Sequence, residues 1–323
     1  MDYLEKFAKL NKIQELLKNF ESISHAIILT SEDEIFLDCF AKLIVMQKNC
    51  NGQKKPCFDC VNCKKIVDGN SVDVEYFGTE KPIVVDDSLQ IVADSFVVPL
   101  ELDKKYFILK NFDLATTSAQ NKLLKVIEEP QSFDTFILLT TNLNAVLPTI
   151  KSRCEVYSLP RLSQNELQFL FEYHLNEARK YNIALEYANG NLTALKTIYS
   201  DESFLNLYEL AIKTLTLMQN SSKILEFACE ISKYKTELDK FLEIVSSFYF
   251  DMLKIKNGKP DAVQNKQVFN QLNLLCNGYS EYAIINILKE IDKSNLKLKF
   301  NANQNAVVDN LLLKILEIKH ICK

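Results

Sequence analysis

Apolar residues in the first 140 positions fall into two alternating kinds of pattern. HAIILT (25–30), DVEYF (73–77), KYFIL (105–109) and DTFILLT (134–140) are short β-prone runs rich in Ile, Phe, Leu and Tyr. Between them, EIFLDCFAKLIVM (34–46) and SLQIVADSFVV (88–98) carry helical spacings. Short strands alternating with helices predict an α/β domain with a mostly parallel sheet. After Pro160 the strand signals stop. SQNELQFLFEYHLNEA (163–178) opens with Ser163 and Glu166 at capping-box spacing and reads as one helix. A further helical stretch follows Gly190, from Leu192 to Ile198. In KTELDKFLEIVSSFYFDMLKIK (235–256), Leu238, Phe241, Leu242, Val245, Phe248, Tyr249 and Met252 recur at three- and four-residue steps, giving one broad apolar face. NGKP (257–260) breaks that helix, and AVVDNLLLKILEIKHI is helical again. These patterns divide the chain into an α/β domain over 1–160, a small helical domain over 161–202 and an all-α domain over 203–323.

Composition narrows the function classes. A formal net charge of -4 over 323 residues argues against a stand-alone nucleic-acid binder, which carries a basic excess to displace counterions. No apolar run approaches bilayer-spanning length, and MDYLEKFAKLNK lacks the basic start and apolar core of a signal peptide. A cytoplasmic protein is expected.

Four of the 9 cysteines, Cys50, Cys57, Cys60 and Cys63, crowd into CNGQKKPCFDCVNC. Their C-x6-C-x2-C-x2-C spacing lets four thiolates converge on one tetrahedral ion, with Gly52 and Pro56 supplying turn chemistry. Lys54, Lys55, Lys64 and Lys65 stand near enough to offset the negative charge. With four protein ligands no position is left for water, so Zn²⁺ here is structural. Four free or oxidised cysteines, an iron–sulfur cluster, and a knuckle that grips DNA through the lysines and Phe58 are the other readings of this segment.

The segment HAIILTSEDEIFLDCFAKLI has the strand–loop–helix outline of a P-loop domain. A working P-loop needs glycines for close backbone approach to phosphates, a Lys, and a Ser or Thr for Mg²⁺. TSEDE has neither glycine nor lysine. Ser31 and Glu34 read instead as a capping box, and Glu32, Asp33 and Glu34 put three carboxylates where a triphosphate would sit. The strand KYFIL is followed by Lys110 and Asn111, which cannot replace a metal-binding carboxylate pair.

FDLATTSAQNKLLKVIEEP (112–130), followed by PTIKSRC (148–154), resembles the AAA+ clamp-loader subunits of replicative DNA polymerases, whose bacterial members share the cysteine knuckle. The likeness covers the first 200 residues well, and the helical remainder agrees in length and class. It implies an AAA+-type P-loop-like domain with a degenerate nucleotide site, followed by a lid and an oligomerisation collar. Asn121 to Pro130 match a helix that packs beside the neighbouring subunit. Arg153 matches an arginine finger that reaches a neighbour's ATP, with Ser152 and Cys154 shaping its turn. Thr140 and Thr141 match a sensor position, but without nucleotide they read better as strand-end threonines. GNLTAL (190–195) lies where active members carry a second sensing arginine, and has Thr193 nearby and no arginine.

The resemblance therefore implies a non-ATP-binding structural subunit, silent on its own and stimulating hydrolysis by a neighbour. Implied partners are the ATPase subunits, the delta subunit, the sliding clamp and primer-template DNA, with no membrane. Two departures stand out: TSEDE keeps no remnant of the P-loop, and the first cysteine spacing is shorter than the family's can be. The main rival is a self-sufficient AAA+ ATPase with an unconventional site; another is a zinc-dependent DNA-binding regulator. Nucleophilic catalysis by Cys154 is disfavoured, because His25, His174 and His320 form no recognisable pairing with it.

Overall fold

The computed structural model describes residues 3–217 and 223–321. They divide into two compact units: Met1–Glu172 with Asn189–Ala194, and Tyr173–Ala188 with Leu195–Lys323. Residues 161–202 thus contribute to both.

The first unit runs α1 (Tyr3–Ala8), α2 (Asn11–Lys18), β1 (Ala26–Thr30), α3 (Glu34–Asn49), α4 (Val61–Val67), β2 (Val74–Phe77) and α5 (Val85–Asp94). It continues with β3 (Lys105–Leu109), α6 (Thr117–Glu128), β4 (Asp134–Thr140), α7 (Pro148–Lys151), β5 (Glu155–Ser158) and α8 (Gln164–Leu170). The five strands pair in the order β2-β3-β4-β1-β5, all parallel. All residues of β3 and β4 are buried, including Lys105, Asp134, Thr135 and Thr140, and their apolar residues follow from a parallel sheet covered by helices on both faces. Phe107 and Phe136 are register partners on those strands, and their rings stack 5.0 Å apart. On α3, Phe36 and Phe40 meet Phe7 and Phe20 edge-on, seating the N-terminal segment against the helix.

Each expected strand is present, and β5 is an addition. It spans only four residues, exposed except for a half-buried Tyr157, so it carries no apolar run to announce it. The helix expected over 88–98 starts earlier and ends at Asp94. Pro99 disfavours helical geometry at the residue before it, and Phe96, Val97 and Val98 lie exposed rather than on a buried stripe. The helix expected over 163–178 is broken. Its capping box forms as read, with Glu166 N–H donating to Ser163 Oγ and Glu166 Oε2 accepting from Ser163 N–H. It stops at Leu170, however, because the chain crosses between units after Glu172, and Tyr173 then stacks on Tyr181 at 4.0 Å.

In the second unit, α9 (Ala178–Ala188) precedes α10 (Leu192–Ser200), whose first residues belong to the first unit. α11 (Glu202–Leu217), α12 (Ile224–Ile231), α13 (Leu238–Lys256), α14 (Phe269–Cys276), α15 (Glu281–Lys299) and α16 (Gln304–Ile321) follow. The seven apolar residues read as one face of α13 are all buried in the core of this unit. The helix begins at Leu238, the first residue of that face, after a 3-10 segment over Ser232–Glu237 kinked at Tyr234. No described helix is long and apolar enough to cross a membrane.

Candidate functional site

The C-terminal edge of a parallel sheet is where α/β folds hold ligands. Here that edge gathers the start of α3 with Lys110, Asn111 and Thr141 around a cleft of about 230 Å³. Its chemistry is internal. The expected Ser31–Glu34 capping box does not form; Asp33 is the N-cap of α3, its Oδ1 accepting from Phe36 N–H at 3.1 Å. Ser31 Oγ accepts instead from Asp33 N–H at 3.2 Å, a turn that swings the Asp33 side chain inward. The same carboxylate caps the second helix, Oδ2 accepting from Leu192 N–H at 2.5 Å and Oδ1 from Thr193 N–H at 3.3 Å.

Thr193 reciprocates. Its hydroxyl donates to Asp33 Oδ1 at 2.8 Å and accepts from Ile35 N–H at 3.0 Å. Donors at two helix N-termini, the groups that usually attract a phosphate, thus converge on one protein carboxylate that is 3% exposed. The neighbouring acids differ: Glu32 pairs with Arg161 on the surface, and Glu34 is exposed at the cleft. Asn191 Nδ2 adds a 2.8 Å bond to Glu32 O.

The other wall of the cleft is also occupied. Lys110 Nζ pairs with Asp38 Oδ1 at 2.6 Å and lies 5.3 Å from the centre of the Tyr76 ring. Asn111 takes a left-handed conformation (φ 49°) and donates through Nδ2 to Gly78 O at 3.2 Å. Asp113 turns to the strand end, where the Thr140 and Thr141 hydroxyls donate to it at 3.1 and 3.2 Å.

Arg153 stands on a different construction. Pro148 starts α7, a position where its missing N–H costs nothing, and the fully buried Ile150 anchors the turn in the core. Gln120, buried on α6, ties that helix to the segment before α7: Nε2 donates to Ala145 O at 3.4 Å and Oε1 accepts from Leu147 N–H at 2.9 Å. The chain then turns at Ser152, whose hydroxyl donates to Thr149 O at 3.1 Å. The Arg153 guanidinium donates through Nη1 to Thr149 O at 3.0 Å and through Nη2 to Glu128 Oε2 at 2.8 Å. Its side chain remains 31% exposed. Cys154 packs against the core under the sheet, and burial pushes its thiol up to about 12, so it is no nucleophile near neutrality.

The four cysteines of the knuckle come together. Their sulfur atoms all lie within 4.8 Å of one another, and Cys57 Sγ is 4.0 Å from Cys63 Sγ. Four sulfurs at about 2.3 Å from a central ion stand about 3.8 Å apart, so the cluster is of the right size to close around a metal. Backbone N–H groups of Gly52 and Cys57 point at Cys50 Sγ, both at 3.3 Å. Backbone donors of Cys60 and Asp59 push the Cys57 thiol down to about 6, while burial pushes Cys63 up. A Cβ on Gly52 would sit 2.7 Å from Cys57 Cβ, so only glycine lets the loop close this tightly. Lys64 and Lys65 pair with Asp59 and Glu101 at 2.8 and 2.5 Å rather than facing the sulfurs alone. These four cysteines could hold a metal ion.

Two residues at these sites escape sequence reading. Asp33 as the double cap was hidden behind the more familiar Ser-x-x-Glu spacing, although a TSEDE loop with three successive acids was a signal that one could turn inward. Glu128 gave no signal, because its partner lies 25 residues away.

The parallel sheet, with its many helices, fits the AAA+ clamp-loader fold. Residues 6–163 match the family model described as DNA polymerase III, delta subunit. The chain is 24% identical over 277 residues to DNA polymerase III subunit delta′ of Bacillus subtilis, covering 82% of each chain. It is 25% identical over 281 residues to the delta′ subunit of Buchnera aphidicola subsp. Baizongia pistaciae, again covering 82% of each. It is also 25% identical over 329 residues to the gamma subunit of Buchnera aphidicola subsp. Schizaphis graminum, covering 92% of this chain and 90% of that one. These homologues support a clamp-loader subunit of DNA polymerase III, and the resemblance to its delta′ subunit is shown.

Proposed function

We propose that this chain is the ATPase-silent, delta′-like subunit of the clamp loader. It binds no nucleotide itself, assembles with ATPase subunits and a delta subunit, and supplies Arg153 in trans to a neighbour's ATP. The complex loads the sliding clamp on primed DNA in the cytoplasm, at the replisome. In this reading residues 161–202 serve as the lid and 203–323 as a share of the oligomerisation collar. The observation that carries it is the Asp33 carboxylate, which accepts from donors at the starts of α3 and α10, the kind of group that binds a phosphate, while Thr193 takes Ile35 N–H. An incoming triphosphate would have to displace those bonds and also face Glu34.

Arg153 suits the trans role because a guanidinium is permanently charged and planar, and can stabilise charge building on the equatorial oxygens of a transferring phosphoryl group. Ser152 and Cys154 hold its turn. The knuckle is read as a structural Zn²⁺ site of Cys50, Cys57, Cys60 and Cys63, the ion offsetting the thiolate charge that burial of Cys63 opposes. The test of the trans role is ATP turnover by the reconstituted loader carrying Arg153→Ala. Turnover is expected to fall on the order of 10³-fold with assembly intact. An unchanged rate contradicts the role.

A further inference from the structure

Glu128 is the last residue of α6, so its carboxylate stands at the negative end of that helix. An acid there is disfavoured unless a cation offsets it. Arg153 does so with a 2.8 Å charge-assisted bond, while Thr149 O takes a second guanidinium donor from α7. Glu128 and Thr149, the two nearer acceptors, come from separate helices, and Ser152 Oγ is a third at 3.5 Å, so they fix both the position and the plane of the fork. Arg153 Nε is buried without a partner, but 31% of the side chain stays in solvent, so these contacts do not close off the guanidinium. With side chains 31% and 54% exposed, the pair contributes little to folding. Its geometry, not its stabilisation of the fold, is what distinguishes it.

We propose that Glu128 is a positioning residue for Arg153, holding the guanidinium oriented for a phosphate on the neighbouring subunit. The proposal rests on the trans reading of Arg153 given above. An arginine is a long side chain with many rotamers, and ordering it only as the phosphoryl group transfers would raise the barrier. The carboxylate, the Thr149 carbonyl and a longer 3.5 Å bond to Ser152 Oγ meet that ordering cost in the folded chain and leave the second Nη2 hydrogen to the phosphate. Glu128 touches no reacting atom in this scheme and acts only through Arg153.

The test is steady-state ATP turnover by the reconstituted loader with Glu128→Ala, Glu128→Gln and Arg153→Ala, and with Glu128→Ala and Arg153→Ala combined. Glu128→Ala is expected to lower kcat by roughly 10- to 100-fold, the scale of a misplaced catalytic group, with KM for ATP unchanged. Glu128→Gln, which keeps an acceptor in the same place, recovers much of the loss. In the Arg153→Ala background, Glu128→Ala has no further effect. If Arg153→Ala abolishes turnover while Glu128→Ala leaves it unchanged, Glu128 is only a surface partner and the inference fails alone. A rise in turnover with Glu128→Ala also overturns it, making the carboxylate a restraint on the finger. If Arg153→Ala itself changes nothing, the trans reading falls and the inference with it.

Discussion

The start of α3 and the turn at Arg153 are both built from charged groups set near helix ends, and they treat those charges in opposite ways. Asp33 is 3% exposed and accepts from donors at the starts of both α3 and α10. Arg153 keeps 31% of its side chain in solvent, and its Nε has no partner. One corner turns its carboxylate onto the chain's own backbone donors. The other holds a cation in place without using it up. A corner whose carboxylate is satisfied from within the chain, and an arginine that is only partly satisfied, are what the role proposed above requires.

Removing a metal held by the four cysteines is expected to have the largest effect on the isolated chain. Small structural zinc domains hold their ion with an apparent free energy of about 10–16 kcal/mol at neutral pH, so the knuckle loses its order when stripped. Protein made under reducing conditions should carry about one zinc per chain by elemental analysis. Chelation should then raise amide exchange across 50–67 and lower Tm. Metal-free protein with the same exchange pattern would show that the cysteines close without an ion.

Asp33→Ala comes next. It removes a helix cap worth about 0.5–2 kcal/mol and strands buried N–H groups at about 1–3 kcal/mol each, so a loss of about 3 kcal/mol is expected by urea unfolding. A loss below about 0.5 kcal/mol would mean the corner is not closed as described. The smallest effect belongs to Arg153→Ala, which should change the stability of the isolated chain by less than about 1 kcal/mol, since its ion pair is half in solvent. A loss matching that of Asp33→Ala would erase the contrast and make Arg153 a structural residue.

The fold was largely legible because its sheet is parallel and buried on both faces. β3 and β4 are apolar apart from polar residues at their ends, and those ends fall where the β-prone pattern ends. Long helices of the second unit were legible for a similar reason, as α13 buries the residues its spacing selects. What escaped was decided by tertiary partners. The break after Leu170 follows from a change of unit and from Tyr173 stacking on Tyr181, neither of which local spacing encodes. β5 is an exposed four-residue edge.

At the sites, the cysteine cluster could be read from spacing alone because its ligands are local. The absence of glycine and lysine from TSEDE was equally plain. Which acid would cap α3 was not, because Asp33 wins through Leu192 and Thr193, some 160 residues away. The partner of Arg153 is hidden in the same way, because Glu128 lies 25 residues away on another helix.

The most direct measurement of the central claim is a calorimetric titration of the isolated chain with ATP in the presence of Mg²⁺. The account predicts no detectable binding, because donors at the start of α3 are already held by Asp33 and Thr193. Saturable binding at micromolar ATP would contradict it, and would make this chain an ATPase candidate in its own right.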